Sequence, residues 1–159
     1  MQKFNFERSR AKIPFMQTGE CLHGVESFKQ SMFPQAVGMA ASFDPKLVYK
    51  VGRAIGSEAR SIGIHACFAP VLDLAKDPRW GMVQGKSPTV RARISEGYLT
   101  GSLEDWGEDM VLTAHMGVAF SSGLSKNSSR AEPDAVVPVI KVCATRRNLL
   151  TRYCELIFL

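Results

Sequence analysis

At 159 residues, 45% of them hydrophobic and 22% charged, the chain has the size and composition of one globular domain with a packed core, which excludes a disordered polypeptide. No apolar run reaches the roughly 20 residues that a membrane-spanning helix needs, so no membrane partner is expected. The formal charge of +5 is concentrated: 85–101 and 142–159 each carry three Arg or Lys against one Glu, which leaves +1 for the rest and argues against a nucleic-acid-binding face.

Met1 to Arg10 alternate Phe4 and Phe6 with Lys3, Glu7, Arg8 and Arg10 and lack the apolar core of a secretory signal. Localisation stays open, because the chain is then either intracellular or missing its true start. Ile13 to Met16 form a short apolar run before Gln17, Thr18, Gly19 and Glu20, which predicts a buried strand delivering polar groups at its C-terminal end. The stretch Phe33 to Ala41 reads as a short helix with Pro34 in its first turn.

Asp44-Pro45 is a helix start signal, a capping carboxylate followed by proline at the first helical position. Leu47, Val51, Ile55, Ala59 and Ile62 then recur on one helical face and Gly63 supplies the stop. Ile64 to Leu74 is almost continuously apolar and ends at Asp73, as a strand buried on both faces would. A further helix is predicted from near Asp105, with Val111, Leu112, His115, Met116, Ala119 and Phe120 as its apolar stripe and Gly123 at its end. After a polar loop from Ser125 to Asp134, Ala135 to Ile140 is a β-branched run that ends at Lys141.

Strand, helix, strand, helix, strand predicts an α/β fold of parallel strands with right-handed helical crossovers. The same unit builds open sheets and (β/α)₈ barrels. A full barrel takes about 250 residues, so a barrel here would be partial. The four cysteines (Cys21, Cys67, Cys143, Cys154) show no dense framework and no Cys-x-x-Cys pair, and are expected mostly as buried thiols. His23, His65 and His115 with Cys21 and Cys67 lack metal-site spacing. No nucleophile elbow, phosphate loop or dinucleotide fingerprint is present, and no cofactor is expected.

Three stretches, in order, carry a resemblance: Gly19-Glu20-Cys21-Leu22-His23-Gly24, Phe33-Pro34-Gln35, and Phe68-Ala69-Pro70-Val71-Leu72-Asp73 leading into Asp77-Pro78-Arg79-Trp80-Gly81. Gly107-Glu108-Asp109 with Met116-Gly117-Val118-Ala119, and Lys141, extend it. Together they resemble the N-terminal domain of glycoside hydrolase family 3, the β-glucosidase type. The resemblance implies a partial TIM-type (β/α)₈ barrel over 1–141 and retaining hydrolysis of O-glycosidic bonds in β-glucosides or related sugars, with a carbohydrate as partner. It also implies that Glu20 and Lys141 bind sugar hydroxyls at the strand-end rim, with Asp73 beside them. Arg79 either fixes its loop or lines the pocket, and His23 is a structural hydrogen-bonder.

The sequence departs from the family at several points. The family's nucleophile and acid/base lie on later elements, so no catalytic residue is expected here and the chain is read as an inactive fragment, poorly folded or aggregation-prone once its barrel edges are exposed. The other reading is a non-catalytic carbohydrate-binding or scaffolding remnant. Met82 stands where the family commonly has an arginine, and a thioether donates no hydrogen bond. Residues 85–102 look inserted, and 142–159 look like an aberrant basic tail. Both read as translated introns; the alternative is a surface insertion plus a helical tail striped by Leu149, Leu150, Tyr153 and Ile157.

Overall fold

The computed structural model describes residues 2–74, 104–127, 132–145 and 152–158. Arg79, Met82 and the expected insertion at 85–102 lie outside them. In chain order the elements are α1 (Gln2–Arg8), β1 (Thr18–Gly19), α2 (Ala36–Ala40), α3 (Pro45–Ser61), β2 (Ala66–Cys67), α4 (Met110–Leu124), β3 (Val137–Thr145) and β4 (Arg152–Phe158). β1, β2 and β3 pair in parallel and in sequential order, and β4 adds antiparallel to β3. The predicted alternation is therefore present, with α3 carrying the chain from β1 to β2.

The first strand sits later than predicted. Ile13, Phe15 and Met16 are exposed, and their backbone is occupied by α1, since Asn5 donates to the Ile13 carbonyl at 2.9 Å and the Phe15 amide donates to Gln2 Oε1 at 2.7 Å. Pairing begins only at Thr18, opposite Ala66, with Gly19 opposite Cys67. The second strand is likewise interrupted: after Cys67 the chain passes through a cis Ala69–Pro70 bond and pairs again at Val71, which bridges Lys141.

Asp44 caps α3 as the sequence predicts, its carboxylate accepting from the amides of Lys46 and Leu47 at 2.9 and 3.1 Å, with Pro45 at the first position. The buried face is rotated from the expected one. Val48, Gly52, Ile55, Gly56 and Ala59 are buried, whereas Leu47 and Ile62 are exposed. The cause is α4, which packs against the two glycines: a Cβ on Gly123 would stand 2.4 Å from the Tyr49 carbonyl oxygen and 3.0 Å from the Gly52 Cα. Backbones approach so closely that glycine, not a larger apolar residue, occupies the contact.

α4 starts at its own cap, Asp109, which accepts from the Leu112 amide at 2.7 Å. It buries Thr113, Met116, Gly117, Phe120, Ser121, Gly123 and Leu124, while Val111 and His115, expected on the apolar stripe, are exposed. Arg53 of α3 fastens the far end of α4 by donating to the Gly123 carbonyl at 3.0 Å and to the backbone and carboxylate of Asp134. The core of Val48, Ile55, Met116, Phe120, Leu124 and Trp106 lies between the two helices and the sheet. Trp106 meets Phe120 edge to face at 5.6 Å between ring centroids.

Two further expectations are corrected. Cys21 and Cys67 are joined in a disulfide rather than left as thiols; Gly19 is in register with Cys67, so Cys21 falls where it faces the same strand. Residues 152–158 form a strand and not the helical tail of the alternative reading, because the exposed edge of β3 offers a full ladder from Val139↔Phe158 to Thr145↔Arg152.

Candidate functional site

The C-terminal ends of parallel strands are where an α/β fold leaves side chains free to meet a ligand. Glu20 follows Gly19, the last residue of β1, and its neighbour Cys21 is tied to the end of β2. Lys141 comes from β3. Its amide donates to the Pro70 carbonyl at 3.0 Å, and its carbonyl accepts from the Leu72 amide at 3.0 Å, so the β2 continuation clamps it on both sides. Lys141 lies inside β3 rather than at its end, since the strand runs on to Thr145 in its pairing with β4.

The two predicted residues meet. Lys141 Nζ lies 3.6 Å from Glu20 Oε2 and 3.5 Å from Glu104 Oε2. Glu104 is a site residue that sequence patterns do not reveal; it sits just ahead of the Gly107-Glu108-Asp109 start of α4 and has no motif around it that marks it. The exposures differ in a useful way: 51% for the Glu20 side chain against 19% for Lys141 and 22% for Glu104. The ammonium is thus held from below by Glu104 while Glu20 faces solvent.

Asp73 lies two residues beyond Val71, the partner of Lys141, and is part-buried. Arg79 lies outside the described residues. His23 makes its contacts with Phe33 and Glu26. Its Nδ1 is 3.2 Å from the Phe33 carbonyl oxygen and its Nε2 is 3.5 Å from Glu26.

Burial pushes the Glu20 carboxyl above its usual range, Lys141 pulls it down, and the second carboxylate, Glu104, pushes it up again. At 3.5 to 3.6 Å the ion pairs are looser than tight N–H···O bonds. A neutral hydroxyl can therefore compete for both partners. An ammonium has three donors and a carboxylate two acceptor oxygens, so the pair offers a donor and an acceptor side by side, the pattern that adjacent hydroxyls of a sugar complement. Among the described residues no group of three His, Cys, Asp or Glu could hold a metal ion.

The model of the glycosyl hydrolase family 3 N-terminal domain matches residues 1–145. A β-xylosidase of Formosa agariphila is 35% identical over 121 residues, which cover 72% of this chain and 14% of that protein. A periplasmic β-glucosidase of Salmonella typhimurium is 32% identical over 133 residues, covering 84% and 14%. The chain thus spans about one seventh of the length of these relatives.

Among solved structures, a β-glucosidase from Erythrobacter marinus superposes with a TM-score of 0.71 at 32% identity, over 88% of this chain and 16% of that one. A Listeria innocua β-glucosidase solved in complex with glucose gives 0.68 at 26% identity, over the same shares. The parallel strands and crossover helices are part of a TIM-type (β/α)₈ barrel, left unclosed here. The chain belongs to glycosyl hydrolase family 3, of whose N-terminal domain it forms a part.

Proposed function

We propose that the chain carries the hydroxyl-gripping portion of a sugar site in a β-glucosidase- or β-xylosidase-type glycoside hydrolase. Glu20 accepts from sugar hydroxyls and Lys141 donates to them. Asp73 and Arg79 are further candidates for contact with the sugar. The observation that carries this reading is the Lys141 ammonium held between Glu20 and Glu104, with Glu20 turned toward solvent.

Retaining hydrolysis needs a nucleophile and an acid/base about 5 Å apart across the scissile bond. Lys141 keeps Glu20 and Glu104 engaged as counter-ions, which suits binding rather than bond cleavage. The chain on its own therefore binds sugar without hydrolysing it, and the nucleophile and acid/base of the retaining reaction come from the remainder of a full-length enzyme. A non-catalytic carbohydrate-binding role is the second reading, favoured by the completeness of the Glu20–Lys141–Glu104 cluster within this chain.

Isothermal titration with glucose and with xylose tests the proposal, alongside an aryl β-glucoside hydrolysis assay. Saturable binding that Glu20→Gln and Lys141→Met each abolish is the expected result. Binding unchanged in both variants, or none into the millimolar range, overturns it. Turnover by the chain alone overturns the assignment of the catalytic pair to elements outside it.

A further inference from the structure

Both halves of the Glu20–Lys141 pair are anchored on one short stretch of chain, 67–72. On the Lys141 side the anchors are hydrogen bonds, to the Pro70 carbonyl and from the Leu72 amide, and the bridge to Val71. On the Glu20 side one anchor is a hydrogen bond, from the Phe68 amide to the Gly19 carbonyl at 2.9 Å, and the other is covalent, the bond between Cys21 and Cys67. Glu20 is the single residue between those two anchors.

We propose that the Cys21–Cys67 disulfide is a positioning element for Glu20, so that the grip on sugar hydroxyls is tight in the oxidised chain and slack without the bridge. This rests on the sugar-binding reading above. Without the bond, Gly19 still pairs with Cys67, but nothing covalent holds the chain after Glu20 to β2. β1 is only two residues long, so its ladder supplies little compensation. Lys141, clamped independently through Pro70 and Leu72, stays in place. The acceptor then drifts relative to the donor, and a recognition pair works only when held within about 0.5 Å of its productive geometry.

Both sulfurs belong to residues with no exposed surface, so the bridge is shielded from reductant until the chain opens locally. When a dithiol such as dithiothreitol does reach it, two electrons and two protons convert the bridge into two thiols and the dithiol closes into its own disulfide. Cys21 and Cys67 are thus positioning residues. Neither touches the sugar.

The experiment has three parts. Non-reducing peptide mapping of the whole chain should recover Cys21 linked to Cys67; finding both as free thiols overturns the proposal at once. Glucose titration is then compared between the oxidised chain and Cys21→Ser/Cys67→Ser, under conditions where Trp106 fluorescence shows both folded. An affinity loss of roughly tenfold or more is expected, the order of magnitude of one lost hydrogen bond to a charged acceptor. Equal affinity overturns the proposal. If the double variant does not fold, the comparison is made on Cys21→Ala/Cys67→Ala, which removes the buried hydroxyls.

The third part separates the two readings. The Lys141 side-chain resonance is followed in isotopically labelled protein, in the oxidised chain, the bridge-less chain and Glu20→Gln. Loss of the bridge should move that resonance in the direction Glu20→Gln moves it, because both remove the carboxylate from the ammonium. If the oxidised chain binds no glucose and the resonance still moves, the sugar reading fails and the positioning role stands. A resonance that Glu20→Gln shifts and loss of the bridge leaves alone sinks the positioning role.

Discussion

Replacing Gly123 by alanine sets two effects of known size against each other. In an exposed helix interior Gly→Ala stabilises by about 1 kcal/mol, through the higher helix propensity of alanine. At Gly123 the added Cβ would lie 2.4 Å from the Tyr49 carbonyl oxygen, 2.9 Å from the Arg53 amide nitrogen and 3.0 Å from the Gly52 Cα. All three are backbone atoms of α3, so no rotamer change relieves the clash. Ordinary contact begins near 3.4 Å, a deficit of 1.0 Å to Tyr49, and the helices must separate by about that much.

A gap of about 1 Å forfeits up to half of the dispersion well for each atom pair across it, and overpacking of a filled core costs about 1–3 kcal/mol, occasionally more. With three backbone atoms inside contact distance the steric cost falls in the upper part of that range, and a net loss of roughly 1–2 kcal/mol is expected once the propensity gain is subtracted. Urea denaturation followed by tryptophan fluorescence measures it, because one of the two indoles, Trp106, lies 2% exposed against Phe120 in the same core. Gly38→Ala in α2 is the control, its nearest foreign atom being a Pro34 side-chain carbon at 3.3 Å. A Gly123→Ala chain as stable as the wild type, with Gly38→Ala no different, would show that the backbones of α3 and α4 do not meet at this glycine.

Other consequences concern charge. Because the Glu20 carboxyl is raised, chiefly by burial, its acceptor is lost earlier than an ordinary glutamate's as pH falls, so sugar affinity should begin to drop at a midpoint above 4.5 in a titration series. A raised carboxyl contributes stability that is present below its unfolded pKa and lost as pH rises through the folded one. Glu20→Gln should therefore be equal to or slightly more stable than wild type near neutrality, by no more than about 1 kcal/mol at so exposed a site, and denaturation at two pH values checks the sign. Lys141→Met leaves Glu20 and Glu104 without their shared cation, so the Glu20 carboxyl should rise further, read by carboxyl NMR. Asp134, which desolvation alone would raise, is held below its usual value by Arg53 and Lys126. Its contribution is present above the unfolded pKa and lost as pH falls through the folded one, so the stability gap between wild type and Asp134→Asn should close in acid.

What could be read from the sequence was what local rules determine. Asp44-Pro45 announced α3 because a cap and a fixed φ act within one turn. Glu20 and Lys141 were named from motifs, and the fold brings their side chains together, Lys141 from inside β3 rather than from its end. The misses have one physical cause, the partner across space. Periodicity put Leu47 and Val111 inward, but the glycine contact between α3 and α4 rotated both helices. Ile13–Met16 had the composition of a strand, yet α1 took its hydrogen bonds. Spacing along the chain could not show that Cys21 and Cys67, 46 residues apart, face each other across two strands. Glu104 was invisible because it acts by lying under an ammonium that belongs to another element.

The antiparallel strand β4 bears on how any larger assembly would be built. It occupies the edge of β3 from Val139 to Thr145, the edge to which a fourth parallel strand would have to add. Growth of the sheet in that direction therefore begins with an eviction: the incoming strand must strip off a hairpin partner along seven consecutive register positions. The chain is plugged on that flank by its own final segment.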